Sequence, residues 1–395
     1  MTNDAAGPLG AEHADVVIVG CGIAGASLAY FLAREGITDV VVVEREAQAA
    51  YHASGRSAST LVELDADGVL CRLKIIGGRF LREPPQGFSD APLLERRGVL
   101  TLFCRPMWDA IEEMAPAFAD QGLELQLMGA REAAARAEFL EPTAFDGAVF
   151  LPTDGVIDVH GLLTSYISEA KRLGVRFIFA AAVEQVNACQ GRVSGVEVAV
   201  KGERRSIAAA WVVNAAGAWA GELAAKAGAA AIPFKPLRRS LAILPMAEGS
   251  RWREWPLVWS DHHRVYFRPE PTGMLFCPMD EEPMEPCDAT ADDHSIAAGL
   301  ERLAALAPSL VPRSLGRRWG GLRTFSPDSV PVVGEDPSLG GFFWLAGQGG
   351  CGIETSPALG RVGAELIARG STEVFDAAPL APERFLGDEF ERNIS

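Results

Sequence analysis

The chain has 395 residues, 48% of them hydrophobic, and a formal net charge of −16 at pH 7. That length predicts two domains, and that apolar fraction supplies a sizeable core and excludes a disordered chain. The acidic balance argues against a nucleic-acid or anionic-membrane partner, both of which select basic surface.

In chain order, residues 1–14 are small and polar and read as a loose tail. Residues 15–19 are a short apolar run suited to a buried parallel strand, 23–35 read as a helix, and 40–43 as a second strand ending at Glu44. The Gly/Ser-rich segment AYHASGRSAST follows and can open another helix, and Pro84, Pro85 and Gly87 mark a break. Residues 93–103 suggest strands of a different sheet, and 108–139 read as helices rich in Ala and Glu. Leu162, Leu163, Tyr166, Ile167 and Ala170 give a helical period that Gly174 ends. Residues 208–214 read as a strand before a small-residue turn, 234–278 as strands, and 293–306 as a helix. GFFWLAGQGGCGIETSPALGRVGAELIARG closes the chain's pattern with a strand, a glycine-rich turn and a helix.

The apolar stretch 16–33 lacks a basic leader and is interrupted by glycines, so it predicts neither a signal peptide nor a membrane span; no transmembrane segment is expected. The seven cysteines, Cys21, Cys71, Cys104, Cys189, Cys277, Cys287 and Cys351, are scattered, odd in number and form no C-x-x-C pair. That usage fits a reducing, cytoplasmic compartment, and no metal site is expected.

The most informative motif is Gly20, Gly22 and Gly25 in G-x-G-x-x-G spacing between the first strand and helix. Gly20 permits a tight turn, Gly22 lets a pyrophosphate approach the backbone, and Gly25 lets the helix pack on the strand. The helix N-terminus, Ile23 and Ala24 included, favours an anion. Glu44 is placed to accept from ribose hydroxyls, with Arg45 beside it.

Further strings spread over nearly the whole chain, VVVEREAQ with YHASGRSA, NAAGAWA, KPLRRS, VYFRP, WGGLRTF and GFFWLAGQGGCGIETS, resemble the FAD-dependent D-amino-acid oxidase-like superfamily. Within it the likeness is nearest to bacterial D-arginine dehydrogenase. The resemblance implies an α/β fold: a Rossmann-like FAD-binding domain (1–87, 152–228 and 319–395) interleaved with a β-rich α+β substrate-binding domain (88–151 and 229–318). It implies a dehydrogenase or oxidase that oxidises the Cα–N bond of a D-amino acid or related amine by hydride transfer to flavin N5. The imine formed then hydrolyses to a 2-oxo acid and ammonia. A quinone, an electron-transfer protein or O2 would take the electrons.

The resemblance also implies roles. Ala53, Ser54, Gly55, Arg56, Ser57, Ala58, Ser59 and Thr60 would run along the FAD pyrophosphate and flavin, Arg56 offsetting diphosphate charge. Val183 would reach the adenine, and Ala215, Ala216, Gly217 and Trp219 would border the cofactor. Gly347, Gly349, Gly350, Cys351, Gly352, Ile353 and Glu354 would form the turn under the pyrimidine ring, Gly350 counting among the catalytic positions. His52 and Cys351 read as packing residues, leaving FAD non-covalent. Arg239 and Arg323 would pair with a substrate carboxylate, with the Tyr266 hydroxyl as a further donor.

Departures from D-arginine dehydrogenase narrow the substrate. Its guanidinium-binding glutamate falls on Val99, and other pocket walls fall on Leu257 and Trp259. Its mobile loop falls near Thr60, Val62 and Asp65, without the tyrosine. These positions predict an apolar substrate side chain, with Glu63 and Asp65 as the acids able to meet an ammonium or a distal cation. Competing readings are an N-alkyl amino-acid oxidase of sarcosine or glycine type, a flavin subunit of an electron-transfer complex, and a nicotinamide dehydrogenase. Retained Arg239, Tyr266 and Arg323 speak against the electron-transfer subunit, and the later FAD strings against the nicotinamide enzyme.

Overall fold

A computed structural model describes residues 12–247 and 251–386. Most of the expected tail, 1–11, lies outside the described residues; His13 and Ala14 already belong to the first strand, Glu12–Val19.

That strand is the centre of an eight-stranded sheet. It pairs in parallel with Val40–Val43 on one side and Glu203–Asn214 on the other. Arg176–Ile178 extends the parallel edge beyond Val40–Val43, and Phe342–Ala346 pairs in parallel with the end of Glu203–Asn214. All four valines of Val40–Val43 are buried, as expected for a strand covered on both faces. An antiparallel meander, Ala181–Cys189 and Arg192–Val200, continues into Glu203–Asn214. This strand is longer than the predicted 208–214, because its exposed first half carries polar residues on an edge hairpin.

Helix Ile23–Arg34 packs on the final helix Gly352–Arg369 through small residues. A Cβ on Gly360 would lie 2.7 Å from Ser27 Oγ. The first and third glycines of the G-x-G-x-x-G motif are likewise sterically required. A Cβ on Gly20 would sit 2.4 Å from the Ala215 carbonyl oxygen, and one on Gly25 2.0 Å from that of Gly20. Gly20 also has φ +107, which favours glycine.

A second, nine-stranded sheet is built from the segments between. Its order begins Glu282–Pro283, Lys235–Leu244, Gly273–Cys277, Val265–Glu270, Leu257–Ser260 and continues Val99–Phe103, Gly147–Leu151, Gln126–Gly129. Arg318–Phe325 pairs with the far side of Lys235–Leu244, bringing Arg323 opposite Leu237 and Gly321 opposite Arg239. The region 108–139 is not wholly helical: Gln126–Gly129 interrupts it as an edge strand between helices Met107–Asp120 and Ala130–Arg136. The two large sheets, fed alternately by one chain, form an α/β layer and a β-rich layer beside it. We propose that the last crossover falls after Phe325 rather than at 319, since Arg318–Phe325 is a strand of the second sheet.

Among the described residues no helix is long and apolar enough to cross a membrane.

Candidate active site

The first cavity, about 270 Å³, opens at the glycine fingerprint. Gly20, Gly22, Glu44, Arg45, Ala53, Ser54, Arg56, Val183, Ala215, Ala216, Gly217 and Trp219 all line it. The strand–turn–helix places these backbone groups together. Gly22 leaves a face open: a Cβ there would have only Ser54 Oγ nearby, at 3.3 Å. Ser54 Oγ accepts from Ile23 N–H at 3.0 Å, capping the helix from the next loop. Glu44 accepts from the N–H groups of Cys21 (2.7 Å) and Glu46 (2.9 Å), which fixes its carboxylate at the strand end. Arg45 lies 3.5 Å over the Trp219 ring. Glu222 and Lys226 complete the wall, and Lys226 donates to the Val183 carbonyl at 3.2 Å. Neither was legible as a site residue: each is one charge on an ordinary helix.

A neighbouring cavity of about 140 Å³ shares Gly22, Ala53, Ser54 and Gly217 with the first. It runs past Ile23, Ala24, Ser57 and Ala58 to Arg239, Tyr266, Arg323, Gly349, Gly350, Gly352 and Ile353. The small residues along this path leave room for a flat, elongated group. The turn before helix Gly352–Arg369 is tight: Gly349 has φ +53, and a Cβ on Gly350 would lie 2.8 Å from an Arg323 terminal nitrogen. Gly25, Gly55 and Gly347 line neither cavity. A Cβ on Gly55 would meet the Ala50 carbonyl at 2.2 Å and one on Gly347 the Phe234 ring at 2.9 Å, so these glycines serve packing. Ser59 turns toward a groove on the other side of the loop, while Thr60 and Glu354 face the third cavity.

Arg56 has protein partners. Its guanidinium pairs with Asp288 and donates to the carbonyls of Tyr51, Ala289 and Gly320. The charge is held between the loop and the second sheet, while the residue lines both cavities. The partner lies 232 residues away, beyond any local reading.

The third cavity, about 630 Å³, adjoins the second at Arg239, Arg323, Gln348, Gly349 and Gly350. At this head end Arg323 donates to the Tyr266 hydroxyl at 3.2 Å and forms no salt bridge among the described residues. Tyr266 is fully buried, and burial pushes its pKa above the ordinary phenol value. Its ring stacks on Trp259, with centroids 4.6 Å apart and planes 1° from parallel. The Trp259 indole N–H donates to Asp261 at 2.8 Å. Arg239 faces the same space but is already paired with Glu281 at 2.7 Å.

The body of this cavity is apolar: Val62, Leu64, Phe103, Met107, Ile111, Met114, Phe118 and Trp259. Val99 and Leu257 do not line it. They sit opposite each other in register on paired parallel strands of the second sheet, both fully buried in an apolar cluster. Two residues on, Thr101 does line the cavity, and its hydroxyl is buried without a partner among the described residues. Glu63 is also removed from the cavity: it is 2% exposed, bonded to Arg82 at 2.7 Å and beside Asp154.

Asp65 does reach the cavity, paired with Lys74 at 2.8 Å; Lys74 also lies 3.3 Å from Glu354. Burial opposes the charge of Lys74, but Glu354 and Asp65 outweigh it and hold its pKa above the ordinary lysine value. Burial raises the Glu354 pKa, against the pull of Lys74 and the Val62 N–H. Sequence reasoning missed Lys74, a single lysine in helix Gly68–Arg82. It is buried because Gly77 lets this helix approach the final one; a Cβ there would meet the Glu354 carbonyl at 1.9 Å.

Neither candidate for covalent flavin attachment is disposed to react. His52 Nε2 lies 2.9 Å from both Arg45 and Glu46, with the ring against Trp219. Burial pushes the Cys351 thiol up to about 12, so it is protonated, and it donates to the Gln348 carbonyl at 3.1 Å.

The comparisons agree with this architecture. "FAD-dependent oxidoreductase domain-containing protein 1" of Bos taurus is 26% identical over 415 residues, covering 95% of this chain and 85% of that protein. The crystal structure of L-proline dehydrogenase from P. horikoshii superposes with a TM-score of 0.83 at 23% identity, covering 97% of this chain and 99% of that one. Glycine oxidase from Geobacillus kaustophilus superposes with a TM-score of 0.80 at 24% identity, covering 95% and 100%. These relatives do not single out D-arginine dehydrogenase. The family model "FAD dependent oxidoreductase" matches residues 15–366, and the chain is an FAD-dependent oxidoreductase of this DAO family.

Proposed function

We propose that the protein oxidises the Cα–N bond of a D-amino acid with an apolar side chain, giving an imine that hydrolyses to a 2-oxo acid and ammonia. The observation that carries this reading is the Arg323 guanidinium at the cavity head, free of any acidic partner among the described residues and braced by Tyr266. An arginine so placed selects an anion, and its fork matches a carboxylate. FAD, when bound, supplies the hydride acceptor; its adenosine half would lie along Glu44, Arg45, Val183 and Trp219, and its ring against Ala58, Gly349 and Gly350.

The chain's own groups then orient the substrate. Arg323 and the Tyr266 hydroxyl fix the carboxylate. The wall from Val62 and Leu64 to Met114 and Phe118 takes the side chain and excludes water. No nucleophile is needed, because the residues bind and orient while the substrate carries the reacting bond. The Asp65–Lys74–Glu354 group holds the loop that carries Val62 against the final helix, through Val62 N–H to Glu354 at 2.8 Å.

Steady-state kinetics with D-leucine, D-methionine, D-phenylalanine and D-arginine test the reading. Burying a cationic side chain in the apolar body without a partner costs several kcal/mol, so the apolar substrates should have the higher kcat/KM. A higher value for D-arginine would point to Asp65 as its partner and refute the apolar assignment. Turnover of N-methylglycine or L-proline above every D-amino acid would replace it with the N-alkyl reading.

A further inference from the structure

Arg239 and Glu281 form an asymmetric pair. The arginine is 4% exposed and faces the cavity, with its Nε buried and without a partner among the described residues. The glutamate side chain is 39% exposed. It follows Met279, a non-glycine residue at φ 51, on the segment after strand Gly273–Cys277. Glu281 divides its carboxylate: Oε1 accepts from Arg239 at 2.7 Å and Oε2 from Arg264 at 3.3 Å. Arg264 is itself exposed and anchored to the Met279 carbonyl at 3.0 Å. A buried guanidinium requires an anion, and here that anion comes from an exposed residue with a second cation outside.

We propose that Glu281 is a displaceable latch. It neutralises Arg239 while the cavity is empty. A substrate carboxylate replaces it on Arg239, and Glu281 retires onto Arg264. Arg239 and Arg323 line the same head end, and their strands are paired, with Leu237 opposite Arg323. One carboxylate can therefore take both once Glu281 leaves. The inference rests on the carboxylate reading above and deepens it: Glu281 sets the affinity for the substrate's anionic end. A ligand that must displace a competing group binds more weakly by the fraction of time its partner is free. If Arg239 is free about one-tenth of the time, removing the competitor tightens carboxylate binding about tenfold.

The test uses the FAD-loaded enzyme and benzoate, a carboxylate that cannot be oxidised, with binding followed by the flavin absorbance change. In Glu281→Gln and Glu281→Asp, whose side chain is too short to reach the guanidinium, Kd for benzoate should fall about tenfold. Binding of benzylamine, which lacks the carboxylate, should not change. In Arg264→Gln the latch loses its outer resting place, and Kd should rise. A merely structural role predicts the opposite for Glu281, weaker binding in every variant. Melting temperature and FAD content identify any variant that fails to fold; Glu281→Asp, which keeps the charge at the exposed end, keeps the sign test open if Glu281→Gln does not fold. Unchanged or raised Kd in Glu281→Gln and Glu281→Asp, with benzoate bound by the wild type, overturns the latch alone. A wild type that neither binds benzoate nor is reduced by any amino acid overturns the latch and the functional reading together.

Discussion

Replacing Arg323 with Met removes the charge and the fork while keeping an unbranched side chain on strand Arg318–Phe325. Among the described residues the guanidinium makes one hydrogen bond, to the Tyr266 hydroxyl at 3.2 Å, so its remaining donors are available to a ligand. A hydrogen bond to a charged group contributes roughly 1.5–3 kcal/mol. Each 1.36 kcal/mol is about tenfold in rate. One lost bond therefore lowers kcat/KM about ten- to a hundredfold, and loss of a bidentate pair lowers it by about the square of that factor. The assay is steady-state oxidation of an apolar D-amino acid beside the corresponding amine without a carboxylate, with FAD content checked by absorbance. The amine should react poorly with the wild type and change little in Arg323→Met. Unaltered kinetics on the amino acid would refute the carboxylate assignment. An equal loss on the amine would show that Arg323 acts by holding Tyr266 and Gly350 in place.

FAD should leave intact on heating or acid precipitation, since His52 is hydrogen-bonded and the Cys351 thiol is protonated; flavin retained in the pellet would contradict this. Val99→Glu should not create a preference for basic substrates. It places a carboxylate in a fully buried apolar cluster and should lower Tm sharply, by several kcal/mol of stability, so a well-folded variant that prefers D-arginine would show that Val99 reaches the cavity. Burial, then the neighbouring Glu63, raises the Asp154 pKa well above its usual value, so the folded state holds its proton longer than the unfolded state. The stability this group contributes is full below the ordinary aspartate value, about 3.9, and is lost as pH rises through the raised folded value, at about 1.4 kcal/mol per pH unit per proton. Asp154→Asn should therefore gain Tm over the wild type progressively as pH is raised above about 4; a constant difference would show that Asp154 is ionised in the fold.

The parts of the fold legible in the sequence are those where local chemistry has one solution. The strand, three glycines, helix and acid of the fingerprint fall where expected because Gly20 and Gly25 admit no Cβ. The Gly349–Gly350 turn and the strand strings around Arg323 and Tyr266 were likewise readable as motifs. What escaped depends on long-range partners. The Asp288 that pairs with Arg56 lies far along the chain. Glu63 and Asp65 differ by two positions in one loop, yet Arg82 holds the first in the core and Lys74 the second at the cavity. Val99 and Thr101 lie on the same face of one strand, but the cavity begins only at the second. Glu281 had no motif at all. Its significance comes from the exposed loop that carries it to a buried arginine.

The central claim is that this flavoenzyme takes electrons from a carboxylate-bearing amine held by Arg323 and Tyr266. The most direct measurement is anaerobic mixing of the FAD-loaded protein with D- and L-leucine, D-phenylalanine, N-methylglycine and phenethylamine, following the flavin band. D-Leucine and D-phenylalanine should bleach the flavin rapidly, and phenethylamine slowly or not at all. Bleaching by phenethylamine as fast as by D-phenylalanine, or by no compound carrying a carboxylate, would contradict it.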